Sequence, residues 1–125
     1  MTEFSPELRR ALRDARTVRI ETNAGPGRAR HEAIIWVVVD DGGRVLVRSW
    51  RGERGRWYRE LRANPAGRLR IGDRWVAVRA EPAADPERVE ACSQGLREKY
   101  ATARGSLAEM LVDAVLPTTF ELHPA

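Results

Sequence analysis

The sequence predicts a mainly β (α+β) domain, a six-stranded antiparallel β-barrel with peripheral helices that spans residues 1–125. The length of 125 residues fits one compact unit. Six short runs have the alternation or the β-branched composition of strands, and most of them are joined by tight turns. Closing such short antiparallel strands into a barrel removes their exposed edges.

The first two predicted elements are a helix and a half-buried strand. Ser5 followed by Pro6 marks a helix start, because the hydroxyl can cap free amides and proline is tolerated at the first helical position. We expect this helix to end near Ala15. Residues 17–23 (TVRIETN) alternate between the two faces of a strand, which the turn at 24–27 (AGPG) ends.

The middle of the chain carries the longest apolar run. Residues 31–40 (HEAIIWVVVD) predict a central strand buried on both faces, because the run is apolar at successive positions and β-branched. The turn at 41–43 (DGG) and the alternating run 44–50 (RVLVRSW) complete a hairpin. Residues 56–63 (RWYRELRA) predict a helix that ends at 64–65 (NP).

The second half of the chain predicts three strands and two helices after residue 66. Residues 67–71 and 74–81 alternate around a tight turn. A helix starts at Asp85, and its apolar stripe includes a cysteine that we interpret as a core thiol. Ser106 begins the capping box S-x-x-E of a second helix, which runs to the proline at 117. Residues 118–123 (TTFELH) predict the final strand.

Charge is the most informative part of the composition. The chain has 22 basic and 18 acidic residues, a net charge of +4, and Lys99 is the single lysine beside 21 arginines. From Arg44 to Arg74, ten arginines stand against three acids, a net charge of +7. Such a stretch fits an anionic partner, which could be phosphate, carboxylate or nucleic acid. The codon bias of a GC-rich genome explains the same excess without a function.

Several classes of protein are excluded or disfavoured. One cysteine excludes an internal disulfide and a cysteine-based zinc site, and the isolated His31 and His123 give no metal-ligand spacing, so no metal is expected. The N-terminus lacks an apolar leader and the run 33–39 is too short to cross a bilayer, so we expect a soluble, cytoplasmic protein. No serine lies in a nucleophile elbow, and no catalytic residue is identified.

The strongest candidate site is the segment that follows the RVLVRSW strand. It combines the hydroxyl of Ser49, the guanidinium groups of Arg51, Arg54 and Arg56, and the free amides of the helix that begins before Trp57. These are the groups that bind phosphate. A solvated basic loop is the alternative interpretation.

Two weaker features accompany this segment. The glycine-containing turn at 25–30 could present amides to an anion beside Arg28 and Arg30, although a solvated hairpin loop explains it equally well. Four tryptophans are many for this length, and a planar ligand could stack on one that is not in the core; they are Trp36, Trp50, Trp57 and Trp75.

The order of these features resembles the flavin- and deazaflavin-binding split β-barrel proteins, nearest to the small deazaflavin-dependent nitroreductase-like group and to an uncharacterised bacterial branch of it. The resemblance covers about residues 17–123 and rests on GRAR before the long apolar strand, on LVRSW, on RWYRELRANP, and on LREKY and LPTTFEL near the end. The motif W-Y-x-x-L-x-A-N-P is its most specific part.

The resemblance implies a split barrel that binds FMN or a deazaflavin coenzyme, acts as an oxidoreductase or cofactor-binding protein on a small-molecule substrate, and forms a homodimer. In this class the cofactor carries the hydride chemistry. In such proteins the matching positions lie against the acidic tail, the ring or the phosphate of the cofactor. In this sequence these positions are Arg28, Arg30, His31, Ser49, Arg51, Arg54, Arg56 and Trp57.

Two other functions stay open at this point. One is a binding or dimerisation module without a cofactor. The other is a nucleic-acid-binding β-barrel whose arginines track phosphates, which is disfavoured because Glu53, Glu60 and Asp73 interrupt the basic stretch.

Overall fold

Seven antiparallel strands form one sheet in the computed structural model, which describes residues 3–125. The strands are β1 (Val18–Thr22), β2 (His31–Ile35), β3 (Val38–Val39), β4 (Val45–Arg48), β5 (Ala66–Ile71), β6 (Arg74–Pro82) and β7 (Thr119–Pro124). Their order across the sheet is β2-β1-β5-β6-β7-β4-β3. The helices are α1 (Pro6–Asp14), α2 (Arg56–Ala63), α3 (Pro86–Lys99) and α4 (Arg104–Glu109), with single 3-10 turns at Gly52–Arg54 and Leu116–Thr118.

The predicted central strand over residues 31–40 is wrong. The run forms two strands, β2 and β3, which lie at opposite edges of the sheet. Only Trp36 and Val37 separate them, so the two edges approach each other there and the sheet curls into an incomplete barrel. The run is also not buried on both faces, since Ile34 is 62% exposed. The sheet therefore has seven strands rather than the predicted six.

Side chains from the end of α3 explain the break between β2 and β3. The hydroxyl of Tyr100 accepts a hydrogen bond from the Val37 N–H (3.2 Å), and Lys99 Nζ donates to the Val37 carbonyl (2.8 Å). Both backbone groups of Val37 thus find partners outside the sheet, where a continuous strand would pair them with a neighbouring strand. The run of apolar residues could not reveal these distant partners.

Two apolar cores stabilise the sheet. The larger core fills the barrel, and its members include Leu12, Ile20, Val47, Leu61, Leu69, Val78 and Phe120. The smaller core lies between the outer side of β3–β4 and helices α3 and α4, and it contains Val38, Leu46, Cys92, Leu96, Tyr100 and Met110. Cys92 is a buried free thiol, which confirms its interpretation as a core residue, and burial raises its pKa to about 11.

The two helix starts predicted from Ser-Pro-Glu and Asp-Pro-Glu are confirmed. Ser5 Oγ accepts a hydrogen bond from the Leu8 N–H (3.1 Å), and Asp85 accepts one from the Arg88 N–H (3.1 Å). Each side chain satisfies one of the amides that a helix leaves free at its start. Within residues 3–125, no helix combines the length and the apolar composition that crossing a bilayer requires.

The helix predicted to start at the capping box of Ser106 and run to Pro117 is wrong at both ends. Helix α4 begins two residues earlier, so Ser106 lies inside it, and it ends at Glu109. The carbonyl of Met110 accepts a hydrogen bond from Arg48 Nη1 (3.0 Å). This contact with β4 anchors the chain where the helix ends and directs the following residues back to the sheet.

Candidate functional site

Helix α2 separates two cavities on the surface of the barrel. Arg56, its first residue, lines a cleft of about 540 Å³, which we call the arginine cleft; its polar lining groups include Asn23, Arg28, Arg56, Arg59, Glu60 and Asn64. The next residue, Trp57, lines a second cavity of about 260 Å³, which we call the tryptophan pocket; its principal lining residues are Ile34, Trp36, Arg48, Trp50, Trp57 and Met110.

The arginine cleft has a positive charge excess. Arg28, Arg56 and Arg59 contribute three guanidinium groups, and Glu60 contributes one carboxylate. Glu60 accepts a hydrogen bond from the Thr22 hydroxyl (2.7 Å) and another from Arg56 Nε (2.9 Å). These two hydrogen bonds hold the pKa of Glu60 below its ordinary value, and the bond from the Thr22 hydroxyl has the larger effect. One fixed carboxylate among three arginines leaves the cleft suited to a multiply charged anion.

The first turn of α2 adds backbone donors beside this cleft. Gly55 precedes the helix, and no side chain in the described part of the chain caps its free amides. Amides at a helix start attract anions, because the helix dipole places partial positive charge there. The spacing of Arg56 and Arg59, three residues apart on one helix, puts both side chains on neighbouring positions of its surface. Arg59 belongs to the cleft, and this spacing was the signal that could have predicted it.

Ser49 lies inside the loop that precedes α2. Its side chain is fully buried, its N–H donates to Thr118 Oγ1 (3.1 Å), and its hydroxyl donates to the Gly52 carbonyl (2.8 Å). Gly52 has φ +64°, and a Cβ on Gly55 would come within 2.5 Å of Ser49 Oγ. The hydroxyl therefore shapes a loop that two glycines allow to turn tightly.

Arg51 and Arg54 face a different part of the surface from Arg28 and Arg56. Both are exposed and line a groove of about 540 Å³ beside Trp50, together with Glu53 and Glu109. The structure thus divides the predicted set. Arg28 and Arg56 line the arginine cleft, whereas Arg51 and Arg54 line a separate groove together with two acidic residues.

Arg30 and His31 lie near the arginine cleft but outside its lining. Arg30 Nη1 contacts Glu21 (3.2 Å), and Arg68 grips the same carboxylate with two donors at 2.9 Å each. The Arg68 hydrogen bond is the main reason that the pKa of the buried Glu21 lies below its ordinary value, with Arg30 adding to it. His31 begins β2 opposite Thr22, the residue that donates to the cleft carboxylate.

The tryptophan pocket has aromatic walls of different exposure. Trp57 is 9% exposed, whereas Trp50 is 56% exposed at the mouth. Trp36 is stacked on Tyr100 with ring centroids 3.9 Å apart and an interplanar angle of 3°. Stacked and half-exposed indoles provide flat apolar surface for a planar ligand. Sequence reasoning could count these tryptophans but could not show which of them converge.

Arg48 is the charged residue of the tryptophan pocket. Its side chain is 2% exposed, and its guanidinium donates to four oxygen atoms at 2.9–3.0 Å. These acceptors are Thr119 Oγ1, Ser93 Oγ and the carbonyls of Met110 and Val89. All four are neutral. Burial lowers the pKa of Arg48, although a guanidinium stays charged in proteins.

A third group of titratable side chains lies on β6 and β7. Glu81, Glu121 and His123 could each offer one metal ligand, within 4.8 Å of one another. Arg88 Nη1, however, already contacts both carboxylates, at 2.9 Å and 3.0 Å. The guanidinium takes the place that a cation would occupy, so we interpret the cluster as an ion-pair network.

Comparison with known proteins identifies one family. The family model described as "Uncharacterized protein conserved in bacteria (DUF2255)" matches residues 7–122. No curated protein matches the chain.

Solved structures resemble this one along nearly its whole length. The heme storage protein HutZ from Vibrio cholerae is 16% identical, with a TM-score of 0.69 over 98% of this chain and 91% of its own. The conserved hypothetical protein Rv2991 from Mycobacterium tuberculosis is 17% identical, with a TM-score of 0.64 over 99% and 81%. An F420-H2 dependent reductase, FDR-A, is 16% identical, with a TM-score of 0.63 over 86% and 93%. These likenesses confirm the split-barrel fold that the sequence resemblance implied.

Proposed function

The chain belongs to the bacterial family DUF2255, and from that premise we propose that it is a split-barrel protein that binds a phosphorylated flavin-type cofactor, FMN or a deazaflavin coenzyme. With the cofactor bound, it acts as an oxidoreductase on a small molecule. A reductase named for its dependence on F420-H2 and a putative pyridoxamine 5′-phosphate oxidase from Listeria innocua, 13% identical with a TM-score of 0.61, have the same fold and support this assignment.

One observation carries the proposal: Arg56 and Trp57, consecutive residues at the start of α2, line two different cavities. The arginine cleft matches the phosphate of such a cofactor, because three guanidinium groups line it and one of them belongs to the first residue of α2, whose amides are uncapped. The tryptophan pocket matches a planar ring. A phosphorylated aromatic cofactor has these two parts, and the start of α2 lies between their binding surfaces.

The cofactor supplies hydride transfer when it is bound, and the chain supplies binding and orientation. Arg28, Arg56 and Arg59 would hold the phosphate through charge-assisted hydrogen bonds. Trp57 and the apolar walls of the pocket would orient the ring and exclude water. Ser49 would act indirectly, since its hydroxyl fixes the loop that sets the position of the α2 amides.

Heme, the group named for HutZ, fits the tryptophan pocket less well. Heme iron is held in proteins by histidine, cysteine, methionine or tyrosine. Among the residues that line the pocket, Met110 is the one donor of these types. A volume of about 260 Å³ also lies below the usual range of roughly 300–1,000 Å³ for ligand pockets. The tricyclic ring of a flavin is smaller than a porphyrin and suits this space better.

The test is a calorimetric titration of the purified protein with FMN and with the deazaflavin coenzyme. We expect one of the two to bind, and at a concentration about one hundred times its dissociation constant to stabilise the fold by about 2.7 kcal/mol. Arg28→Ala and Arg56→Ala should each weaken binding at least about tenfold, since each removes hydrogen bonds to a charged group.

Two controls make the titration specific. Arg10→Ala removes an exposed arginine on α1, away from both cavities, and should leave affinity unchanged. The double variant Arg51→Ala/Arg54→Ala tests the separate groove and should weaken binding less than Arg56→Ala does. The proposal fails if neither cofactor binds, or if Arg28→Ala and Arg56→Ala bind as tightly as the wild type.

A specific observation also favours a second candidate, a dimerisation module without a cofactor. Ile34, on the edge strand β2, is 62% exposed. It pairs across the sheet with Arg19, which pairs in turn with Arg70. Glu32, two residues before Ile34, is also exposed. An apolar side chain among charges of both signs can pair with the same patch of a second copy. One structure of the same fold, 15% identical with a TM-score of 0.63, is described as a domain-swapped dimer.

Sedimentation equilibrium distinguishes this candidate from cofactor binding. We expect a dimer for the wild type and a shift toward monomer for Ile34→Asp, with Arg104→Ala as an exposed control on α4. A dimer that binds neither FMN nor the deazaflavin coenzyme would favour the module, whereas a monomer at all concentrations would exclude it.

A further inference from the structure

Arg48 is a cation that the fold buries without an anionic partner. Its side chain is 2% exposed, and no carboxylate in residues 3–125 approaches its guanidinium within the 4.0 Å of an ion pair. Buried charges in proteins are usually paired, because a charge without a partner in a low-dielectric interior is costly. The four hydrogen bonds of Arg48 use four of its five N–H donors but do not neutralise it.

Nearby groups compensate this charge only in part. Met110, whose carbonyl accepts from Arg48, lies at the C-terminus of α4, where a helix dipole places at most about half a negative charge. The Cys92 thiol lies in the same core, but burial raises its pKa to about 11, so it is neutral at physiological pH. The side chains of Glu90 and Arg97 act on Arg48 in opposite senses. A net positive charge therefore remains beneath the tryptophan pocket.

The pocket above this charge is apolar and flat. Trp36, Trp50 and Trp57 provide its aromatic surface, and Ile34 and Met110 add aliphatic and thioether surface. Its volume of about 260 Å³ favours a flat fused-ring ligand over a bulky one. Charge interactions are stronger in such a poorly solvated space than at the exposed arginines of the surface.

We propose that the tryptophan pocket selects planar aromatic ligands that carry a negative charge, and that Arg48 is the residue that determines this selection. The inference rests on the proposed function, because it states the charge of the ligand for the same pocket that is proposed to hold the cofactor ring. It extends that function, because the charge preference applies to any aromatic acid that enters the pocket. Arg48 then has a second role besides joining β4 to α3, α4 and β7.

The test uses two probes of the same shape, 2-naphthoate and 2-naphthamide, which differ in charge and carry no phosphate. In calorimetric titrations of the wild type, we expect the carboxylate to bind at least about tenfold more tightly than the amide. Trp50→Ala should weaken both probes by a similar factor. Equal affinity for the two probes, or no binding of either, overturns the inference.

Variants of Arg48 identify the source of the preference. Arg48→Lys keeps the charge and should keep the carboxylate preference, whereas Arg48→Met should reduce the affinity ratio to about one. Arg51→Ala, an exposed arginine beside Trp50, is the matched control and should leave the ratio unchanged. Near-ultraviolet circular dichroism checks that each variant is folded. A ratio that survives in folded Arg48→Met, or that disappears in Arg51→Ala, assigns the preference elsewhere and overturns the proposal.

Salt dependence gives a measurement that needs no variant. Exposed charges are largely screened as ionic strength rises, whereas buried ones are screened much less. The naphthoate-to-naphthamide affinity ratio should therefore change less than about twofold between about 50 mM and about 500 mM NaCl. A ratio that collapses with salt indicates surface arginines and contradicts the role of Arg48.

Failure of this inference and failure of the proposed function have different signatures. If FMN or the deazaflavin coenzyme binds but the two naphthalene probes bind equally, the charge selection is wrong and the cofactor function stands. If neither cofactor binds but naphthoate is preferred through Arg48, the pocket is a site for aromatic acids and the cofactor function is wrong.

Discussion

The indole of Trp36 lies parallel to the phenol ring of Tyr100, with ring centroids 3.9 Å apart, at the point where the chain leaves one edge of the sheet for the other. The Tyr100 hydroxyl also accepts a hydrogen bond from the Val37 N–H and donates to the Arg16 carbonyl (3.0 Å). One side chain at the end of α3 thus holds the bend between β2 and β3 and the segment after α1.

Tyr100→Phe tests how much the hydroxyl contributes to this bend. The variant keeps the stacked ring but leaves the Val37 amide without its buried partner, which typically costs about 1–3 kcal/mol. Tyr58→Phe is the matched control, since its hydroxyl contacts only the side chain of the exposed Arg62 in the described structure. Urea denaturation should show a larger loss for Tyr100→Phe. An equal or larger loss for Tyr58→Phe contradicts this assignment.

Lys99 makes the stability depend on pH in the alkaline range. Burial lowers the pKa of its ammonium from 10.5 to about 8, so above pH 8 the unfolded chain binds more protons than the folded one. The free energy of unfolding should therefore rise with pH from 8 upward, by at most about 1.4 kcal/mol per pH unit. From pH 9 the Cys92 thiol opposes this rise, because its folded pKa of about 11 exceeds its ordinary 9.0.

Urea denaturation between pH 8 and pH 9 measures the lysine contribution before the thiol intervenes. The wild type should become more stable across this interval, and Lys99→Met should not. In Cys92→Ala the rise should continue above pH 9. A wild type whose stability falls over the interval, or a Lys99→Met variant that rises as the wild type does, would show that Lys99 is not the titrating group.

Glu21 makes the stability depend on pH in acid. Arg68 and Arg30 hold its pKa below the ordinary 4.5, so the stabilisation is present above pH 4.5 and is lost as pH falls through the folded pKa. Glu21→Gln should destabilise the protein at neutral pH, and its difference from the wild type should shrink in acid. Glu3→Gln, an exposed change on the described N-terminal segment, serves as the control. A difference that is constant with pH would contradict the ion-pair explanation.

Gly55→Ala tests whether close packing against Ser49 fixes the loop before α2. The added Cβ would lie 2.5 Å from Ser49 Oγ, so the hydroxyl or the loop must shift, at a cost of about 1–3 kcal/mol. In a Ser49→Ala background that atom is absent, and the cost of Gly55→Ala should fall by more than about 0.5 kcal/mol. Gly105→Ala, on helix α4, is the control: its added Cβ would have no atom within 4 Å, so this change should stabilise the protein slightly. Additive costs for the Gly55 and Ser49 changes would show that the two residues are not coupled.

Local patterns in the sequence determined the elements whose signals lie within a few residues. The Ser5 and Asp85 caps, the hairpins and the helix RWYRELRA depend on neighbouring residues, so propensity and spacing predict them. The W-Y-x-x-L-x-A-N-P motif led to the split-barrel resemblance, which the solved structures confirm. Arg28, Arg56 and Trp57 also emerged from the sequence as candidates, and the first two share one cleft.

Only the tertiary structure decided what depends on partners far along the chain. Residues 31–40 break because Lys99 and Tyr100 take the backbone groups of Val37, more than sixty residues away. The sequence placed Arg48 on the strand RVLVRSW as one arginine of the basic stretch. Packing under α3 and α4 made it a buried cation, because its four acceptors lie between 41 and 71 positions away along the chain. The sequence determined that an arginine-rich stretch exists; the fold decided which of its charges are solvated, which are paired and which one lies beneath the tryptophans.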